Sequence, residues 1–275
     1  MNPSLPIIID SWIPGPIITI IGWTHGNERC WVEAIDTIKD SLKIKRWKIF
    51  LIYGNIEAIE RNIRQIDFNL NRMFRDDSTF TQKEKESIEY KRSREIIPFL
   101  NLSDASLDLH SSPSIWSPAF IICEENCANI VEKFPFDIRC YGFTNIEPGG
   151  TDGYMNSREK LGICVECGYH NAKDAKEKAL ASIEKFLEYF DMIDARNSWV
   201  SKISQEIFIA KYAYKTQTNS FQVIKIFADF EDIIEWQILG YDGKVPIFAQ
   251  FTGKILFARD RNQIWVEGFV IISKG

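Results

Sequence analysis

No apolar run in these 275 residues approaches the roughly 20 that a bilayer-spanning helix needs, so no membrane partner is expected. The opening stretch, MNPSLPIIIDSW, lacks both the basic start and the apolar core of roughly 7 to 15 residues of a secretory signal, and a cytoplasmic location is expected. Basic charge is not in excess either. A net charge of -5 and a pI near 5.4 argue against nucleic acid, because affinity for phosphate backbones comes from clustered Lys and Arg. Of the six cysteines (Cys30, Cys123, Cys127, Cys140, Cys164 and Cys167), only Cys164 and Cys167 form a CxxC, and no second CxxC exists to close a zinc cage around it. They are expected to be small buried hydrophobes in a reducing compartment. Histidine is scarcest of the metal-binding types, with His25, His110 and His170 alone.

What is present reads as an ordinary globular chain with 45% apolar and 26% charged residues. IITIIG at 17–22 and WKIFLIYG at 47–54 are predicted buried strands, and the stretch 29–44 between them carries Trp31, Ala34, Ile35, Ile38 and Leu42 at helical spacing. The pattern predicts a charged helix over 82–100 ending at Pro98, strands at 105–110, 119–124 and 161–168, and a helix from Ala172 to about Ile193. Strands alternating with crossover helices predict an α/β fold, a mostly parallel mixed sheet with helices on both faces. After about residue 200 the runs become short, alternating and punctuated by Gly, Asp and Asn, which predicts a small all-β domain. The expected division is 1–198 and 199–275.

All three histidines fall at or just past predicted strand ends, where open α/β sheets place their ligands. A catalytic zinc takes three protein ligands, commonly two His and one Glu, and keeps one position open; His25, Glu28 and His110 supply that set. Asp108 or a backbone carbonyl would orient the free ring N–H of His110. Spacing alone leaves a second reading open, a tight HGNE turn in which Glu28 supports a helix N-terminus. RQIDFNLNRMFRDD at 64–77 concentrates arginine and asparagine donors suited to an anionic substrate, though a solvated loop has the same composition. Glu166 stands in the middle of an apolar strand. Facing the core it would be costly; at a cleft it would carry a raised pKa suited to moving a proton.

Taken together, HGNE at 25–28, Arg64 with NLNR at 69–72, DLH at 108–110 and ECG at 166–168 resemble, in order, the motifs of the succinylglutamate desuccinylase and aspartoacylase family, relatives of the zinc carboxypeptidases. The resemblance spans about 17–195. It implies one Zn2+ per chain on His25, Glu28 and His110, with Glu166 as general base and Arg64 polarising the scissile carbonyl. It also implies Asn71 and Arg72 as a carboxylate clamp, and Tyr154 and Arg158 as further substrate contacts. The implied activity is zinc-dependent hydrolysis of an N-acyl amino acid or similar small anionic acid. A peptide carboxypeptidase and a noncatalytic zinc-dependent binding protein are the alternatives, and a homo-oligomer is compatible with each. Two positions depart from the family pattern: Asn69 occupies the usual Asp position of the NLNR motif, and Asn55-Ile56 replaces the common Asn-Pro. The first removes a negative charge beside the arginines and is expected to alter substrate choice. His170 is expected to begin the following helix.

Overall fold

The computed structural model describes residues 5–28, 32–194 and 204–275; Cys30 and Trp31 lie outside them. In chain order the strands are β1 (Ile7–Asp10), β2 (Ile17–Gly22), β3 (Lys48–Tyr53), β4 (Ala105–Ser112), β5 (Phe120–Cys123), β6 (Ile138–Tyr141), β7 (Leu161–Tyr169) and β8 (Glu206–Lys215). They continue as β9 (Phe221–Val223), β10 (Glu231–Ile233), β11 (Ile238–Asp242), β12 (Val245–Phe248), β13 (Gly253–Leu256) and β14 (Glu267–Lys274). The helices are α1 (Val32–Ile38), α2 (Ile56–Arg61), α3 (Gln82–Glu86), α4 (Ile88–Leu102), α5 (Ala128–Val131), α6 (Phe143–Ile146), α7 (Thr151–Asn156) and α8 (Ala175–Tyr189).

Eleven strands form one mixed sheet in the order β1-β3-β2-β4-β7-β5-β6-β8-β14-β13-β10. Its centre, β3-β2-β4-β7, is parallel. Strand β5 runs antiparallel to β7, β6 and β8 follow it in parallel, and β14, β13 and β10 close the far end antiparallel. A separate antiparallel sheet, β12-β11-β9, lies in the C-terminal region.

The central strands show why both faces must be covered. In β4, ASLDLHSS, every residue is buried. Ala105, Leu107 and Leu109 join Ile18, Ile20, Ile49, Leu51, Ile163 and Val165 in a core sealed by α1 and α8. The alternate set, Ser106, Asp108 and His110, points the other way, because side chains alternate along a strand. On that side Ile21, Phe50 and Ile52 pack with Ile96 and Leu100 of α4 and with Met155 of α7. Each fully buried Ile or Leu in these layers contributes roughly 1.5–3 kcal/mol of transfer free energy. A third cluster joins the two ends of the chain: Phe120, Ile122, Cys140 and Cys164 pack directly on Phe208, Leu256, Val270 and Ile272.

Two expectations about helices are revised by the structure. The charged stretch 82–100 is two helices, broken at Ser87, whose φ and ψ of -67° and 157° are extended and whose hydroxyl caps α4 at Tyr90 N, 3.1 Å. Pro98 does not end α4, which runs on to Leu102. The helix expected from Ala172 starts at Ala175, after a turn that includes His170. In the C-terminal region, β8 pairs with β6 in register Ile138↔Glu206, so that part of the chain extends the main sheet as well as forming a small sheet of its own.

Candidate metal centre and active site

The parallel strands β2 and β4 end side by side, and each delivers a histidine. His25 lies in the turn after β2, where a Cβ on Gly26 would sit 2.2 Å from the carbonyl carbon of Ala58. Only glycine lets the turn press against α2 that closely, which accounts for the G in HGNE. The same turn is tied to the arginine-bearing loop by Gly26 N donating to Arg64 O at 3.2 Å. His25 Nδ1 is 2.7 Å from Glu28 Oε1, His110 Nδ1 is 3.2 Å from Glu28 Oε2, and the two Nδ1 atoms are 3.3 Å apart. The three residues are buried, and one ligand atom from each lies within 4.8 Å of the others.

Two imidazole Nδ1 atoms facing one another across a carboxylate suit a shared cation. Burial, reinforced by the charge of Arg64, pushes His25 down to about 4, so its ring is neutral and offers a lone pair near neutral pH. Burial opposes ionisation of Glu28, yet the imidazoles of His25 and His110 hold its carboxyl well below the ordinary range. Outer contacts orient the donors. Asn69 Oδ1 lies 2.9 Å from His25 Nε2, and a carbonyl oxygen there selects the tautomer with hydrogen on Nε2, leaving Nδ1 as the donor atom. Asp108 Oδ2 lies 3.2 Å from His110 Nε2 and is itself held by the hydroxyls of Thr24 and Thr151 at 3.1 and 2.6 Å. Ser111 N donates to Glu28 Oε2 at 3.1 Å. Two nitrogens and a carboxylate, oriented this way, fit zinc.

A cleft opens over this centre. His25, Glu28, Arg64, Asn71, Arg72 and Glu166 line it, so six of the nine expected site residues share one space. His110 completes the buried donor set. Glu166 is the register partner of His110 across β4 and β7, which puts both side chains on the cleft side of the sheet. Its Oε2 has no hydrogen-bond partner among the described residues, and burial raises its pKa to about 8; His110 and Arg64 oppose the rise, while Glu28 and Asp229 add to it. Gly168, one residue before the end of β7, takes φ +89°, the backbone reason for the G of ECG.

Tyr154 and Arg158 are not brought to the cleft. The Tyr154 ring sits in the core against Phe74, and its hydroxyl donates to Asn101 Oδ1 at 2.7 Å. Arg158 stacks on the outside of that ring at 3.6 Å, with Nη1 on Tyr154 O. They occupy consecutive turns of the α7 region, so the same spacing that suggested a shared substrate contact makes them pack on one another. Asn69 has a further contact: its carbonyl faces His25 and caps the 3₁₀ turn Leu70–Arg72 at Asn71 N, 2.9 Å. His170 contacts Ser111 Oγ through Nδ1 at 2.8 Å and begins no helix. Cys164 and Cys167 point to opposite faces of β7, one in the cleft and one in the helix-covered core, which rules out a shared metal or disulfide between them.

Several cleft residues carried no signal along the chain. Glu147 is buried and pairs with both Arg72 and Lys215. Glu267, on β14, contacts Arg72 Nη2 at 3.4 Å. Phe257 and Arg259 follow β13, and Phe143 begins α6. Asp152, in α7, has its carboxyl raised by burial to about 6. Their only sequence mark is a single charged or aromatic residue, in the α6–α7 stretch for Phe143, Glu147 and Asp152 and among short β runs for Phe257, Arg259 and Glu267, a common composition.

Residues 14–191 match the family model described as the succinylglutamate desuccinylase/aspartoacylase catalytic domain. The chain belongs to this family. An N-acyl-aromatic-L-amino acid amidohydrolase (carboxylate-forming) from Xenopus tropicalis is 24% identical over 271 residues, covering 90% of this chain and 86% of that protein. A probable aspartoacylase from Nostoc sp. is 26% identical over 165 residues, 55% of this chain and 54% of its own length. Among solved structures, succinylglutamate desuccinylase from Vibrio cholerae superposes with a TM-score of 0.76 at 16% identity, covering 97% of this chain and 84% of that one. That likeness shows the mixed α/β fold with its C-terminal β region.

Proposed function

We propose that this protein is a zinc-dependent deacylase that hydrolyses the amide bond of an N-acyl amino acid or similar small acid. The observation that carries this reading is Glu166: a buried carboxylate with one unpartnered oxygen, beside His110 and at the wall of the cleft above the donor set. The names of the two relatives, an N-acyl-aromatic-L-amino acid amidohydrolase and a probable aspartoacylase, support the same substrate class.

A zinc ion held by His25, Glu28 and His110 would supply Lewis acidity and an acidified water. Glu166 takes a proton from the attacking water and delivers it to the nitrogen of the leaving amine, which requires a carboxyl able to be both base and acid near neutral pH. Arg64, whose Nη1 lies 3.2 Å from Glu28 Oε1, stands over the site and stabilises negative charge developing on the scissile carbonyl oxygen. Asn71 and Arg72 border the cleft as the anchor for a substrate carboxylate. The small anionic substrate follows from these donors.

The test is a screen of N-acetyl, N-formyl and N-succinyl amino acids, alongside C-terminal peptide ladders, with zinc-loaded protein. Turnover of the acyl amino acids and not of the ladders is expected. Glu166→Gln should keep its zinc by metal analysis and lose about 10²–10⁴ in kcat, the usual contribution of a general base. Wild-type turnover in that variant, or cleavage of the ladders alone, sinks the proposal.

A further inference from the structure

Arg259 is the arginine of the cleft whose donors are not spoken for. Arg64 contacts Glu28. Arg72 donates from Nε to Glu147, from Nη1 to Asn71 O at 2.7 Å, and from Nη2 toward Glu267. Arg75 is paired with Glu84 and stacked over Phe80. Arg158, expected as a further substrate contact, lies outside the cleft on Tyr154. Arg259 by contrast lines the cleft, its Nε is buried without a hydrogen-bond partner, and no side-chain hydrogen bond or ion pair reaches it among the described residues. Its backbone is held all the same: Arg259 N donates to Gly268 O at 3.2 Å, and two residues earlier Phe257, also on the cleft wall, is fixed by its N–H on Asp229 Oδ1 at 2.7 Å. A cleft-lining arginine whose main chain is held and whose guanidinium has an unsatisfied buried donor is an arrangement completed by an anion, and the planar fork matches a carboxylate.

We infer that Arg259 is a substrate-anchoring residue, supplied by the C-terminal region, that binds a carboxylate of the N-acyl amino acid. The inference rests on the deacylase reading above and adds to it which residue reads the substrate's charge. Arg72, paired with Glu147 and Glu267, then shares the binding of substrate anions with it. The carboxylate is either the α-carboxylate or one on the side chain, and both present the same chemistry to the guanidinium.

The experiment compares wild type, Arg259→Met and Arg259→Lys, all zinc-loaded, on N-acetyl-L-aspartate, N-acetyl-L-glutamate and N-acetyl-L-phenylalanine, each against its α-amide and, for the acidic pair, its side-chain amide. Arg259→Met is expected to lose about 10²-fold in kcat/KM on the acids, mostly through KM, and no more than about 3-fold on the amide that removes the carboxylate it reads. Which amide cancels the loss identifies the carboxylate. Arg259→Lys should recover part of the activity, since the charge remains without the fork. Equal losses on acids and amides, or no loss on any, overturn the inference while leaving the deacylase reading in place. Failure of wild type to cleave any compound overturns both. Melting temperatures of the two variants close to wild type establish that the comparison is between folded proteins.

Discussion

Asn69 and Glu166 stand at the proposed centre in opposite ways, one by a hydrogen bond and one by the lack of one among the described residues. The Asn69 carbonyl holds the His25 ring with Nδ1 turned toward Glu28 and His110. Asn69→Ala should weaken zinc binding about 10- to 100-fold, the usual loss when an outer partner of a metal ligand is removed, as read by competition with a chromogenic chelator. Asn69→Asp should tighten it, because a carboxylate makes the imidazole a better donor; an unchanged affinity in both variants would show that the ring is held by packing alone. Glu166 gives a pH dependence. Its folded-state pKa of about 8 lies above the ordinary 4.5, so between these values the folded protein binds the proton and the unfolded chain does not. The contribution is fully present below about pH 4.5 and is lost as pH rises through about 8, on the order of a few kcal/mol. Metal-free wild type should therefore lose stability across that window relative to metal-free Glu166→Gln, measured by urea denaturation at stepped pH; parallel profiles would contradict the shift.

Among the elements, α4 does the most to place the cleft's arginines. Its first turn carries Glu89, fully buried, whose carboxylate accepts from Ile66 N at 2.6 Å, Asp67 N at 3.2 Å, Phe68 N at 3.1 Å and the side chain of Asn55 at 3.0 Å. The loop between Arg64 and Asn69 is thereby folded onto a helix N-terminus, where negative charge is also favoured. Glu89→Ala would leave several buried N–H donors unsatisfied and should cost about 3 kcal/mol or more, seen as a lower urea midpoint. A larger fractional loss of kcat/KM than of zinc affinity is expected as well, because the loop carries the residues proposed to face the substrate and reaches the proposed metal donors only through Arg64, on Glu28, and Asn69, on His25. This element was only partly legible in the sequence. The charged helical stretch was visible, but the break at Ser87 goes with that buried carboxylate and the Ser87 cap, which no periodicity records, and α4 runs on through Pro98.

The whole molecule couples its two ends at the cleft. Strand β8 continues the sheet from β6, Asp229 Oδ2 accepts from Ser112 Oγ at 2.6 Å just past His110, and Glu267 and Lys215 complete the network around Arg72. Phe120, Ile122 and Cys164 also rely on Phe208, Leu256, Val270 and Ile272 for their cover. A chain ending at residue 198 should consequently be aggregated or unfolded by gel filtration and circular dichroism; a monodisperse, cooperatively unfolding 1–198 fragment would show the catalytic region to be an independent domain. The sequence by itself determined the central strands and the histidine-glutamate set, because alternation on β2, β4 and β7 and the motif glycines act over a few residues and place side chains at strand ends without outside help. Tertiary structure alone decided which arginines face the cleft. Tyr154 and Arg158 turn away because they satisfy each other locally, and Arg259 turns in because the pairing of distant β strands carries it there, at nearly two hundred residues' remove from Arg64.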